Sequence, residues 1–145
     1  MIAHYNPAIM KRTLIYLWAL PTTAVGLFAA LLTLLTGGRA RLVTGVIEAH
    51  GGFATVFLKK LVPLPGGATA ITLGHVVLAR DAASHERTRA HERVHVRQVE
   101  RWGPFFFPAY LFASLYLWIH DCDAYFDNPF EREAYENDER ERTKL

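Results

Sequence analysis

A chain of 145 residues has the length of one typical domain, and with 51% hydrophobic residues it has ample material for a core. Its formal charge of only +2, at a pI of about 8.8, argues against the dense positive surface of a nucleic-acid binder. The lone cysteine, Cys122, excludes an internal disulfide and a cysteine-built zinc cluster, so any metal site must draw on His, Asp and Glu.

Residues 14–36 carry no charge and exceed the roughly 20 apolar residues that a membrane-spanning helix needs. A signal peptide would have a shorter apolar core and a small-x-small cleavage site, whereas Gly37, Gly38 and Arg39 follow this run. The expectation is a retained single-pass anchor within an N-terminal segment 1–38, kinked at Pro21, followed by one domain over 39–145. Lys11 and Arg12 at one end and Arg39 and Arg41 at the other leave its orientation open.

Beyond the anchor, residues 43–47, 53–58, 69–73 and 75–79 read as strands, separated by Gly51-Gly52 and the glycine- and proline-bearing stretch 63–67. A small antiparallel sheet is expected. Residues 84–102 lack glycine and proline and are rich in Arg and Glu, which predicts a helix ended by Gly103-Pro104. The apolar run 105–119 is short for a crossing and reads as a core or membrane-interface helix. Asp127-Asn128-Pro129 opens a last helix with Asn128 as N-cap and Pro129 in its first turn. The predicted class is α+β.

His91-Glu92-Arg93-Val94-His95 is an HExxH sequence inside the predicted helix. Residues four apart on a helix share a face, so both imidazoles can reach one ion at about 2.0–2.1 Å per Zn–N bond. Glu92 then stands beside the ion as the general base for an activated water. The alternative is structural. His91, Val94, His95, Gln98, Val99 and Trp102 share one inward face, and a buried histidine pair could simply bond to backbone or to Gln98. Against that stand the desolvation of two imidazoles and their mutual repulsion once protonated.

The chain resembles the gluzincin branch of HExxH metallopeptidases, in which a glutamate in an E-x-x-A arrangement on a later helix is the third ligand. By that resemblance Glu131, in Glu131-Arg132-Glu133-Ala134, is the ligand. Glu133, His120, Asp123 and Asp127 stand as alternatives, as does the absence of any third ligand. As the third residue of its helix, Glu131 could instead serve a capping box with Asn128. Tyr135, one turn on, is either a donor to a developing oxyanion or a packing residue. The resemblance also implies that the 69–79 region holds extended peptide at a sheet edge. The segments HERVHVRQVERWGP and DNPFEREAY are similar to a group of small uncharacterised bacterial membrane-associated HExxH proteins that brings no established substrate.

Arg89, Arg93, Arg97 and Arg101 recur every fourth residue opposite the histidines. Such a row destabilises a helix unless it is neutralised. The acidic tail with Glu136, Asp138, Glu139 and Glu141 could cover it, lipid phosphate could, or it could face solvent. Three functions are therefore expected to compete. The first is a membrane-anchored zinc hydrolase of peptidase type, the second a non-catalytic metal-binding or structural membrane protein, and the third a membrane-surface adaptor working through the arginines.

Overall fold

The computed structural model of the protein describes residues 7–143, apart from the side chains of residues 141 and 142. The opening apolar run forms two helices, α1 (Pro7–Trp18) and α2 (Leu20–Leu35), which are bent by 68° where they meet at Ala19. Pro21 lies in the first turn of α2. It has no N–H for the carbonyl four residues back, and its ring crowds that carbonyl, so α1 cannot continue through it. The kink expected at Pro21 is thus a break two residues earlier.

The sheet is mixed, not purely antiparallel, and it follows from two local signals. β1 (Arg39–Val43) and β2 (Val46–His50) form a hairpin across Thr44-Gly45. Both turn residues have positive φ, 44° and 79°, as a tight two-residue hairpin turn requires. The strand expected over 43–47 therefore straddles a turn.

The strand expected over 53–58 is instead helix α3 (Gly52–Lys60). Its short apolar run suits either period, and the helical one buries Ala54 and Leu58 together and stacks Phe53 on Phe57 at 5.6 Å. With α3 as crossover, β4 (Val76–Ala79) lies parallel to β2, and β3 (Ala70–Leu73) pairs antiparallel with β4. The strand order is β1-β2-β4-β3, which leaves β3 at an edge.

Alternation along the strands divides the sheet into two faces. Ala49, Leu73, Val76 and Leu78 pack with Ala29 and Ala30 of α2 and with Ala54 and Leu58 of α3. Val46 and Val77 face Val96 of helix α4 (Ala82–Trp102) on the other side. The contact between α2 and the sheet is close enough to need a glycine, since a Cβ on Gly26 would collide with the Leu73 carbonyl oxygen and fall 2.7 Å from Val76 Cβ. Asp81 caps α4 by accepting from the Ser84 N–H at 2.7 Å, and Gly103, at φ 56°, ends it.

Helix α5 (Phe106–Ile119) buries only Phe106, so it is not a core helix. Leu111, Phe112, Trp118 and Ile119 are all exposed. By length and composition the continuous run Ala82–Ile119 is apolar enough to cross a membrane, with 11% of its apolar window buried, and α1 and α2 pass the same test only as a bent pair. Helix α6 (Pro129–Arg142) closes the fold against α4. Its start is set by Asn128, which is fully buried and accepts from the Phe130 N–H at 3.0 Å. The Asn128 amide donates to Tyr110 O and Ser114 Oγ of α5, so the cap also fixes the two helices together.

Candidate metal centre

One turn of α4 and the first turn of α6 bring three ligands to a common point. His91, His95 and Glu131 are all buried, and each offers a ligand atom within 4.8 Å of the others. His95 Nε2 lies 3.1 Å from His91 Nε2, His91 Nε2 lies 3.2 Å from Glu131 Oε2, and His95 Nε2 lies 3.5 Å from Glu131 Oε1. Ligands of a tetrahedral ion with bonds near 2.0–2.1 Å are separated by about 3.3–3.4 Å, so the three side chains have the spacing that such an ion imposes.

Three further observations fit a cation. Glu131 Oε2 is buried with no hydrogen-bond partner, although His91 Nε2 is close. Burial pushes the Glu131 carboxyl up, but the His91 and His95 imidazoles, with a smaller contribution from Tyr110, outweigh burial and hold it well below the usual carboxylate range. The third observation is a tautomer.

Gln98 directs its amide nitrogen to Phe130 O at 3.0 Å and to Glu133 Oε2 at 2.9 Å, so both of its protons are committed. Its oxygen therefore faces His95 Nδ1 at 2.8 Å as an acceptor. Nδ1–H donates to it, so Nε2 is the nitrogen that an ion at the common centre would meet. Gln98→Leu is expected to weaken zinc binding 10–100-fold in a competition titration against a chelating dye. An unchanged affinity would show that this relay orients nothing.

Among the alternatives for the third ligand, Glu133 is committed to Gln98 and to Arg101 at 3.1 Å. His120 is exposed against Tyr116 O, while Asp123 and Asp127 are taken up by backbone N–H groups of the α5–α6 loop. Glu131 forms no capping box, because its carboxylate turns to the histidines and to Tyr110. Ala134, three residues on, is fully buried, and its small side chain lets α6 approach α4.

Glu92 is buried and accepts a 2.7 Å hydrogen bond from Thr72 Oγ1 of edge strand β3. The same hydroxyl lies 3.2 Å from the Glu92 backbone carbonyl oxygen, so its one proton is shared between the two acceptors and ties that edge to the HExxH turn. Beside these groups lies a cavity of about 350 Å³, lined by His91, Glu92 and Glu131 at its polar end and by Ile71, Phe107 and Leu111 elsewhere. Tyr135 packs on His91, with ring centroids 4.6 Å apart, is 38% exposed and is not one of the residues that line the cavity, although its hydroxyl meets that of Tyr125 at 3.4 Å.

The tyrosines that do line the cavity are Tyr110, which donates to Glu131 Oε1 at 2.7 Å, and Tyr125. Sequence reasoning did not single out Tyr110, Tyr125 or Thr72, for none belongs to a local motif. A tyrosine one helical turn beyond the buried Phe106 is the only trace that Tyr110 leaves.

The sheet neutralises part of the arginine row. Glu48 of β2 is buried and receives Arg89 at 2.8 Å and Arg41 at 3.0 Å, with Arg93 at 3.9 Å. Burial pushes its carboxyl up, yet Arg89 and Arg41 outweigh that and hold it below the usual range. Arg101 is paired with Glu133. Of the acids expected across the row, Glu136 pairs with Arg140, and the Glu141 side chain lies outside those described. Comparison with family models, with curated proteins and with solved structures finds no match for this chain.

Proposed function

We propose that the protein is a membrane-associated zinc-dependent hydrolase, of peptidase type and zincin-like architecture, with His91, His95 and Glu131 as ligands and Glu92 as general base. The observation that carries this reading is the convergence of two imidazoles and a carboxyl group, at tetrahedral spacing, beside a cavity that Glu92 also lines. A zinc ion held there supplies Lewis acidity and lowers the pKa of water to about 7.

The chain's own residues supply the rest. Glu92 keeps one carboxylate oxygen on Thr72, and the other is available to take a proton from the attacking water and return it to the leaving amine. Tyr110 fixes the Glu131 carboxylate from the cavity side. The apolar lining selects a hydrophobic side chain next to the cleaved bond, and β3 offers an edge to which an extended peptide can add. The exposed apolar faces of α2 and α5 support a membrane location. A non-catalytic metal site would need the same three ligands, but it would have no use for a buried carboxylate held beside them on a substrate-sized cavity.

The test is zinc content and peptide cleavage by the full chain in neutral detergent. About one zinc per chain is expected, together with hydrolysis of an unstructured apolar peptide that a chelator stops and zinc restores. A protein that binds no divalent ion under these conditions ends the proposal.

A further inference from the structure

A second cleft, of about 390 Å³, lies between α1, the β1–β2 turn and α4, and its charge is one-sided. Lys11 and Arg12 of α1 and Arg93 and Arg97 of α4 line it, against a single lining carboxylate, Glu100. That acid is engaged by His75 Nε2 at 3.0 Å. Arg93 is committed to the carbonyl oxygens of Val43 and Thr44 at the hairpin tip, with Glu48 at 3.9 Å. Among the described residues Lys11, Arg12 and Arg97 have no carboxylate within ion-pair distance. Three cations that have no carboxylate partner thus share a concave site with one acid, Glu100, so the cleft carries an excess of positive charge that favours entry of an anion.

The walls are ordered. Tyr16 stacks on His75 with centroids 4.1 Å apart, and its hydroxyl donates to Gly45 O at 3.3 Å, which ties α1 to the hairpin turn. Arg12 lies over the Tyr16 ring at 5.9 Å. Lys11, Arg12, Ile15 and Tyr16 occupy one side of α1 at helical spacing and face the cleft. The remaining side exposes Ile9, Met10, Leu14 and Leu17. A helix with an apolar outer face and cations just behind it lies at the boundary between lipid headgroups and acyl chains, where phosphate is the abundant anion.

We propose that this cleft is a phosphate-binding site, and that its ligand is the headgroup phosphate of an anionic phospholipid. Arg89 and Arg101, the other two members of the arginine row, take no part because Glu48, Glu86 and Glu133 already hold them. The site is separate from the His91, His95 and Glu131 centre and stands whether or not that centre is catalytic.

The experiment uses the full chain in neutral detergent, with thermal unfolding as the readout. Its probes are phosphatidylglycerol, phosphatidylcholine and inorganic phosphate. Phosphatidylglycerol is expected to raise Tm and phosphatidylcholine not to. The Lys11→Gln/Arg97→Gln variant, which breaks no ion pair, should bind phosphatidylglycerol roughly 30-fold more weakly, while Arg101→Gln binds as the parent does. Zinc content should be the same in all three proteins. A shift with inorganic phosphate as large as that with phosphatidylglycerol, lost in the double variant, upholds the phosphate site and assigns it to a soluble anion. An equal lipid-induced shift in parent and double variant, or no shift with any probe, overturns the proposal.

Discussion

Replacing Glu92 by Gln is expected to leave zinc bound and to reduce peptide hydrolysis by about 10²–10⁴, the share of the rate that a positioned general base supplies. The substitution is close to isosteric. Thr72 Oγ1 can still donate to the carbonyl oxygen of the new amide as it does to the carboxylate, so the β3 contact and the HExxH turn keep their geometry. What disappears is the capacity to accept a proton. Zinc measured by elemental analysis, beside kcat on an apolar unstructured peptide, separates the two effects. Unchanged turnover would remove Glu92 from the mechanism, and loss of zinc would show that the carboxylate supports the ion instead of the water.

His91→Ala is expected to abolish zinc binding by the purified chain and, with it, the stabilisation that zinc confers. A ligand present at about 1,000 times its Kd stabilises the folded state by about 4 kcal/mol, so the parent should show a clear rise in Tm on adding zinc and the variant none. Loss of an imidazole that contacts the ion directly should exceed the 10–100-fold cost of removing a supporting group such as Gln98. His120→Ala is the control, because that ring is exposed and bonded only within its own helix end. Equal zinc content in parent and His91→Ala would place the ion elsewhere.

What could be read from the sequence was whatever obeys a short period. The spacing of His91 and His95 fixed their common face, and Gly103 marked the end of α4 because a positive φ of 56° suits glycine. Glu131 was readable through its resemblance to an E-x-x-A glutamate, and Ala134 does lie buried where α6 meets α4. The competing capping role lost because the Asn128 backbone N–H, which a capping-box glutamate would accept from, already donates to Tyr125 O at 3.1 Å, which leaves the glutamate to face the imidazoles.

Contacts made across the fold left no such trace. Thr72 reaches Glu92 over 20 residues and Tyr110 reaches Glu131 over 21, and neither pairing follows from periodicity. Residues 53–58 misled because a six-residue apolar run fits a strand and a helix equally, and only the parallel β2–β4 pairing requires a crossover there. Glu48 was invisible as a counter-charge to the arginines, since an acid within a strand is ordinarily read as solvent-facing.

The seat of Gly26 beneath Leu73 and Val76 sets a limit on reach. An enzyme domain tethered by a loose linker can sweep a volume and meet bonds far from the bilayer. Here the strand that carries Thr72 rests on α2 itself, so on the proposed membrane and hydrolase readings Glu92 and the three ligands ride at one depth. Substrates would have to present their cleavable bond at that height, and a target's distance from the lipid surface would select it as strictly as its sequence.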